Sequence, residues 1–171
     1  MARQVDLLQE VNQKYVIDAC AMLDFWGSIV GFTRPYDIDI DAFRKIWEHI
    51  AKLVLDGAIL IPEVIYQEVD KTTVKEFHDW LLKHKSLYVE YDDALKELAA
   101  IVQKVEIYTT DKVSINDAIV VAIAKNKGLT VITSERRSPQ LNPNKPKIPN
   151  VCDEFDVPWL NLPDFFKAEG L

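Results

Sequence analysis

The sequence has few cysteines and no long apolar run. Its two cysteines, Cys20 and Cys152, lie in apolar surroundings and are too few for a disulfide framework. No segment approaches the ~20 apolar residues that a membrane-spanning helix needs. The opening stretch MARQVDLLQEVNQK places charges among its apolar residues, unlike a secretory signal peptide. These absences predict a cytoplasmic protein without a membrane segment, whose cysteines are reduced and packed.

Positive charge is also scarce. The 20 Lys and Arg residues stand against 27 Asp and Glu residues, which gives a net charge of −7. This balance excludes an extended basic surface for nucleic acid, but it leaves room for a small basic rim around an acidic cleft. The three histidines lack the spacing of metal ligands. At 171 residues, the chain is long enough for one domain that buries roughly 70% of its unfolded surface.

Strand and helix patterns alternate along the chain. Apolar runs predict strands at 15–17, 58–61, 129–133 and 158–160, with 87–91 either strand or loop. Apolar residues at helical spacing predict helices at 39–55, from Pro62 onward, at 74–81, 94–105 and 115–126, and from Leu162. A loop through Gly31 and Pro35 is predicted before the 39–55 helix, with Asp24 expected on the surface of a helix, and a second loop is predicted at 134–150. This order favours a parallel α/β sheet with helices on both faces.

Four carboxylates lie near the carboxyl ends of the predicted strands. Asp18 follows the first strand directly, and Glu135 follows the strand in LTVITSE. Glu68 lies in the helix that leaves the second strand, and Asp117 opens the helix of SINDAIVVAIA. Ligands of parallel sheets bind beyond the carboxyl ends of the strands. The sequence therefore predicts a site built from acids at this edge.

Clustered carboxylates need a partner that offsets their repulsion. Two such charges 4 Å apart repel by on the order of 4 kcal/mol at an effective dielectric of 20. Shared protons or a bound cation remove that cost. Oxygen ligands without His or Cys suit Mg²⁺ or Mn²⁺ rather than zinc. Such an ion activates water and stabilises the transition state of phosphodiester hydrolysis.

The order of these motifs resembles the PIN-domain nucleases. The resemblance lies in VIDACAML, VIYQEV and NDAIVVAIAKNKGLTVITSE, and the tail KPKIPNVCDEFDVPWLNLPDFF is similar to a PIN-like branch of toxin-like ribonucleases. It implies a three-layer α/β/α PIN-like domain over 14–171, with a central parallel sheet of about 4–5 strands. Residues 1–13 would be an N-terminal helical extension. The resemblance further implies an endoribonuclease of a toxin–antitoxin module, held by a cognate antitoxin and forming a homodimer.

The same resemblance assigns the site residues. Asp18, Glu68 and Asp117 would hold Mg²⁺ or Mn²⁺, with Glu135 at the weaker fourth acidic position. Water would attack the scissile phosphate of RNA in line and leave 5′-phosphate and 3′-hydroxyl ends. The sequence departs from the family at Ala19 and Cys20, where many PIN domains carry a small hydroxyl residue and then Asn.

Simpler interpretations of the acids remain open. SIND fits a capping box, in which Asp117 would serve only to bond the start of its helix. Glu68 could be a solvated helix acid, with Glu63 or Asp70 closer to the site. Cys20 has no His near it in sequence and is predicted to be a buried small side chain rather than a nucleophile.

The residues after the 129–133 strand are candidates for substrate binding. This set comprises Ser134, Arg136, Arg137, Lys145 and Lys147. Basic side chains beside an acidic site suit RNA phosphates, while loop solubility would explain them equally well. A catalytically weak or inactive PIN-like binding or regulatory protein is the alternative function. A receiver-like phosphoacceptor is a third hypothesis, but the order of the acids does not fit it.

Overall fold

The computed structural model describes residues 12–29, 40–69, 75–84, 88–90, 92–104, 113–138 and 146–171. The strands are β1 (Tyr15–Ile17), β2 (Ile59–Pro62), β3 (Tyr88–Val89), β4 (Thr130–Ile132) and β5 (Trp159–Leu160). The helices are α1 (Ala19–Ile29), α2 (Ile40–Leu55), α3 (Glu63–Val69), α4 (Lys75–Lys83), α5 (Asp93–Gln103), α6 (Ile115–Lys127), α7 (Ile148–Glu154) and α8 (Leu162–Ala168). The predicted helix in the 1–13 extension lies outside the described residues.

The five strands form one parallel sheet in the order β3-β2-β1-β4-β5. β1 is central, with Tyr15 opposite Ile59 on one side and Thr130 on the other. All strands therefore end at the same edge, and β1 and β4 finish side by side, with Ile17 opposite Ile132. Helices flank the sheet, which confirms the predicted α/β class and its parallel sheet.

Helix α6 has a continuous buried stretch at its centre. Its residues 118–124 are all buried, as the apolar run IVVAIA requires. Ser114 begins the helix as its N-cap, and Gly128 ends it in the left-handed conformation at φ 67°. Glycine adopts this conformation without strain. These caps fix where Asn116 and Asp117 stand relative to the carboxyl edge.

Two helices have bounds that the sequence pattern did not predict, although Asp24 was expected on the surface of a helix. α1 starts directly after Asp18, where Ala19, Ala21 and Met22 are buried and have good helix propensity. α7 begins at Ile148, inside the predicted 134–150 loop. Pro149 indicated a break, yet proline is tolerated in the first turn of a helix. Both corrections matter because each helix begins beside an acid of the predicted site.

The observed bounds of the other elements differ from the predicted ones by a few residues. Pro62 ends β2 rather than opening α3, and the 87–91 stretch contains a two-residue strand. None of the helices within the described ranges has the length and apolar character needed to cross a lipid bilayer.

Candidate functional site

Asp18 lies at the carboxyl end of the central strand and is almost completely buried, with 2% of its surface exposed. Its backbone N–H donates to the carbonyl of Ile132 across the β1–β4 pair. The Thr133 hydroxyl donates to Asp18 Oδ2 at 2.9 Å. Burial raises the pKa of Asp18 to about 7, and the charges of Asp117 and Glu135 add to this rise, while the bond from Thr133 opposes it.

Asp117 stands in the first turn of α6 and is partly buried. Burial raises its pKa to about 6, helped by the charges of Glu135 and Glu68 and opposed by a hydrogen bond with Ser114. The Asp117 N–H also donates to Ser114 Oγ at 3.1 Å, so the Ser114 half of the predicted capping box is present. The cap bond uses the backbone of Asp117, while its carboxyl group belongs to the acidic cluster.

Glu68 reaches the cluster from α3, which packs against α6. The side-chain amide of Asn116 donates to Glu68 Oε1 at 2.6 Å. The charge of Glu68 contributes to the raised pKa of Asp117. Glu68 is thus anchored to the helix that carries Asp117, whereas Asp70 lies outside the described residues.

Glu135 follows β4 and binds the start of α7 through both carboxylate oxygens. Lys147 Nζ donates to Oε1 at 2.8 Å, and the Ile148 N–H donates to Oε2 at 2.7 Å. Its own N–H donates to Thr133 Oγ1 at 3.1 Å. Thr133 therefore joins Asp18 and Glu135 through one hydroxyl, and Glu135 has a structural role besides its charge coupling to the other acids.

We define the acidic cluster as Asp18, Glu68, Asp117 and Glu135, joined by these charge interactions. Among the described residues, no three His, Cys, Asp or Glu side chains already form an arrangement that could hold a metal ion. The donor chemistry nevertheless fits a hard divalent cation, because all four groups offer carboxylate oxygens. Raised pKa values at Asp18 and Asp117 mean that protons satisfy part of the charge that a cation would satisfy.

The basic residues predicted to bind substrate differ in whether they form ion pairs. Lys147 pairs with Glu135, and its charge also acts on Asp117. Arg137 Nε pairs with Asp153 Oδ2 at 2.8 Å, whereas Arg136 is exposed and forms no ion pair within the described ranges. Lys145 lies outside those ranges.

The predicted burial of Cys20 is wrong, since the side chain is exposed at the start of α1. The helix turns it away from the core, while its neighbours Ala19 and Ala21 are buried. Although the residue is exposed, partial desolvation of the Cys20 thiol, together with the negative charges of the nearby acids, raises its pKa to about 12. A thiol in this environment stays protonated and is a poor nucleophile. Cys152 is free and buried, as predicted.

Asn116 was not singled out by the sequence, although the structure places it in the site. Asn116 could have been predicted as a site residue from its position directly before Asp117. Both residues stand in the first turn of α6, which lies at the edge of the sheet where the strands end. The pairing of Lys147 with Glu135 had no local signal, since twelve positions separate them.

No curated protein matches this chain significantly. A family model described as "Domain of unknown function (DUF4411)" matches residues 15–171, from the first residue of β1 to the C-terminal residue. The match includes the whole acidic cluster and all the described secondary structure. The chain belongs to the DUF4411 family.

Proposed function

We propose that this protein is a Mg²⁺- or Mn²⁺-dependent endoribonuclease. The observation that carries the proposal is the charge coupling of four carboxylates at the carboxyl edge of the sheet. A cluster of this kind gains most from a divalent cation and from a substrate that the cation can polarise. The motif order that resembles the PIN-domain nucleases supplies the identity of the substrate.

Asp18, Glu68 and Asp117 would hold the cation, and Glu135 would assist. When bound, such an ion would lower the pKa of water and stabilise the negative charge that develops on the phosphate. The Thr133 hydroxyl fixes one oxygen of Asp18, and the Asn116 amide fixes one oxygen of Glu68. These bonds orient the acids before a ligand arrives, which reduces the cost of reorganisation.

The biological setting follows from the resemblance. We propose a cytoplasmic toxin of a toxin–antitoxin module, which a cognate antitoxin would hold inactive and which would act as a homodimer. Co-purification with the product of the adjacent reading frame, and loss of growth arrest on co-expression, would test this setting apart from the chemistry.

The direct test is RNA cleavage by purified protein with Mn²⁺ or Mg²⁺. The parent should cut single-stranded RNA to 5′-phosphate and 3′-hydroxyl ends, while Asp18→Asn and Asp117→Asn should each lose at least about a hundredfold in rate. Asp93→Asn is the matched control, because Asp93 is an exposed acid whose charge partner is Lys96. Absence of metal-dependent cleavage in the parent, or unchanged cleavage in Asp18→Asn, would refute the nuclease function.

A second candidate is a PIN-like binding or regulatory protein with little turnover. The bonds of Glu135 to Lys147 and Ile148 favour it, because they engage both oxygens of one acid. Calorimetric Mn²⁺ binding that Asp18→Asn removes, together with no RNA cleavage, would select this candidate over the enzyme.

A further inference from the structure

A cleft of about 350 Å³ lies beyond the ends of β4 and β5. Its lining includes Glu135 of the acidic cluster together with Arg136, Arg137 and Trp159. The volume is at the small end of the range of about 300–1,000 Å³ found for ligand sites. Since Glu135 belongs both to the lining and to the cluster, the cleft adjoins the carboxylates.

One wall of the cleft is fixed by a single carboxylate. Asp153 in α7 accepts a hydrogen bond from Trp159 Nε1 at 3.1 Å and pairs with Arg137 Nε at 2.8 Å. Trp159 is also held through β5, where it lies opposite Val131 of β4, and it packs against the core. An indole and a guanidinium held in this way lose little conformational freedom when a ligand binds.

Two unused polar groups face the same cleft. Arg136 lines it, is exposed, and forms no ion pair within the described part of the chain. Ser134 also lines it, and its buried Oγ has no hydrogen-bond partner among the residues described. A buried hydroxyl is normally hydrogen-bonded, and a guanidinium is suited to phosphate oxygens. Both groups therefore indicate a polar, anionic ligand rather than an apolar one.

We propose that the cleft binds one nucleotide of single-stranded RNA next to the scissile phosphate. The base stacks on Trp159, and the adjoining phosphate pairs with Arg136. The assignment of RNA as the ligand rests on the proposed ribonuclease function, but binding in the cleft does not require turnover. Aromatic faces stack on bases with little sequence preference, so this site positions the strand and leaves cleavage to the acids.

The test measures binding of a short fluorescent single-stranded RNA to the Asp18→Asn protein in EDTA, where no cleavage occurs. Trp159→Ala should weaken binding about tenfold or more, while Trp159→Phe should retain most of it because a phenyl ring also stacks. Arg136→Gln should weaken binding and reduce its salt dependence. Arg44→Gln is the control, because Arg44 is an exposed arginine on α2 that pairs with Asp41. It should bind like the parent.

Binding by Trp159→Ala and Arg136→Gln within about twofold of the parent would overturn the proposal. Equal weakening by Arg44→Gln would overturn it too, as would tighter binding of single-stranded DNA than of RNA. Circular dichroism checks the fold, and if Trp159→Ala does not fold, Arg136→Gln decides alone. Cleavage by the parent with Mn²⁺ is scored separately. If RNA binding depends on the cleft residues but the parent does not cleave RNA, only the proposed nuclease activity is rejected. If the parent cleaves RNA but binding does not depend on the cleft residues, only the proposed binding site is rejected.

Discussion

Replacing Asp18 with Asn should make the metal-free protein more stable at neutral to basic pH. The carboxyl group is buried at the end of β1, beside other acids, and its pKa is raised from 3.8 to about 7. Asparagine has nearly the same shape, and its carbonyl oxygen can still accept the Thr133 hydroxyl. The substitution therefore removes the buried negative charge and can keep the bond from Thr133.

The sign and size of this stability change follow from the pKa values of Asp18 in the unfolded and folded states. Because the folded-state pKa is raised, the contribution of Asp18 to stability is complete below pH 3.8 and is lost as pH rises through about 7. Above pH 7 the carboxylate costs the folded state about 4 kcal/mol, and at about pH 5 the cost is about 2 kcal/mol. The carboxylate also accepts a hydrogen bond from the Cys20 N–H, and asparagine has only one acceptor oxygen for the two bonds, so the expected gain for Asp18→Asn is about 2–4 kcal/mol at about pH 8.

The assay is urea unfolding in EDTA, followed by circular dichroism, at about pH 5 and about pH 8. The free energy of unfolding of Asp18→Asn should exceed that of the parent at both values, and the difference should grow by about 2 kcal/mol between them. Asp93→Asn, which removes an exposed charge at the start of α5, should not show this pH-dependent difference. Adding Mn²⁺ at about a hundred times its Kd should stabilise the parent by about 2.7 kcal/mol and the Asp18→Asn protein by much less.

A free energy of unfolding for Asp18→Asn equal to or below that of the parent at about pH 8 would refute the reasoning. It would mean that the carboxylates do not destabilise the metal-free protein. Repulsion among them would then give no reason to expect a bound cation. A gain that does not change between the two pH values would also contradict it, because titration of Asp18 is the stated cause.

Three further predictions concern the same residues. Thr133→Val removes the bond that lowers the pKa of Asp18, so the acid limb of the pH–rate profile for Mn²⁺-dependent cleavage should move to higher pH. Asn116→Ala frees Glu68 and should weaken Mn²⁺ affinity by about tenfold in calorimetry, with the fold unchanged. Mn²⁺ binding should release protons between about pH 5.5 and pH 7.5, which calorimetry in buffers of different ionisation enthalpy detects; a proton release of zero would contradict the raised pKa values of Asp18 and Asp117.

The class of the fold could be predicted from local patterns. Strands β1 and β2 of this parallel sheet are buried along their length, so the apolar runs YVI and ILIP identify them. Amphipathic or apolar helices between them identify the crossovers. The starts of α1 and α7 could not be predicted for a common reason, because each lies one residue from a boundary signal, Asp18 before α1 and Pro149 in the first turn of α7.

The members of the acidic cluster could also be predicted, because strand ends of a parallel sheet share one edge. The hydrogen bonds that these acids form could not be predicted. Glu135 binds Lys147 and Ile148 through a turn whose path depends on α7, and the Asn116–Glu68 bond depends on how α3 packs against α6. The exposure of Cys20 depends on the orientation of α1, which an apolar run does not reveal.

The arrangement at Asp18 argues for function independently of any resemblance. A side chain with 2% exposure at the centre of a sheet packs best when it is neutral, and two neighbouring acids increase the cost of its charge. Thr133 nevertheless donates to the carboxylate and favours its charged form. Stability alone gives no reason for this combination, since an amide would accept the same bond. A ligand that requires negative charge explains it, and a divalent cation is the simplest such ligand for a site built from carboxylates.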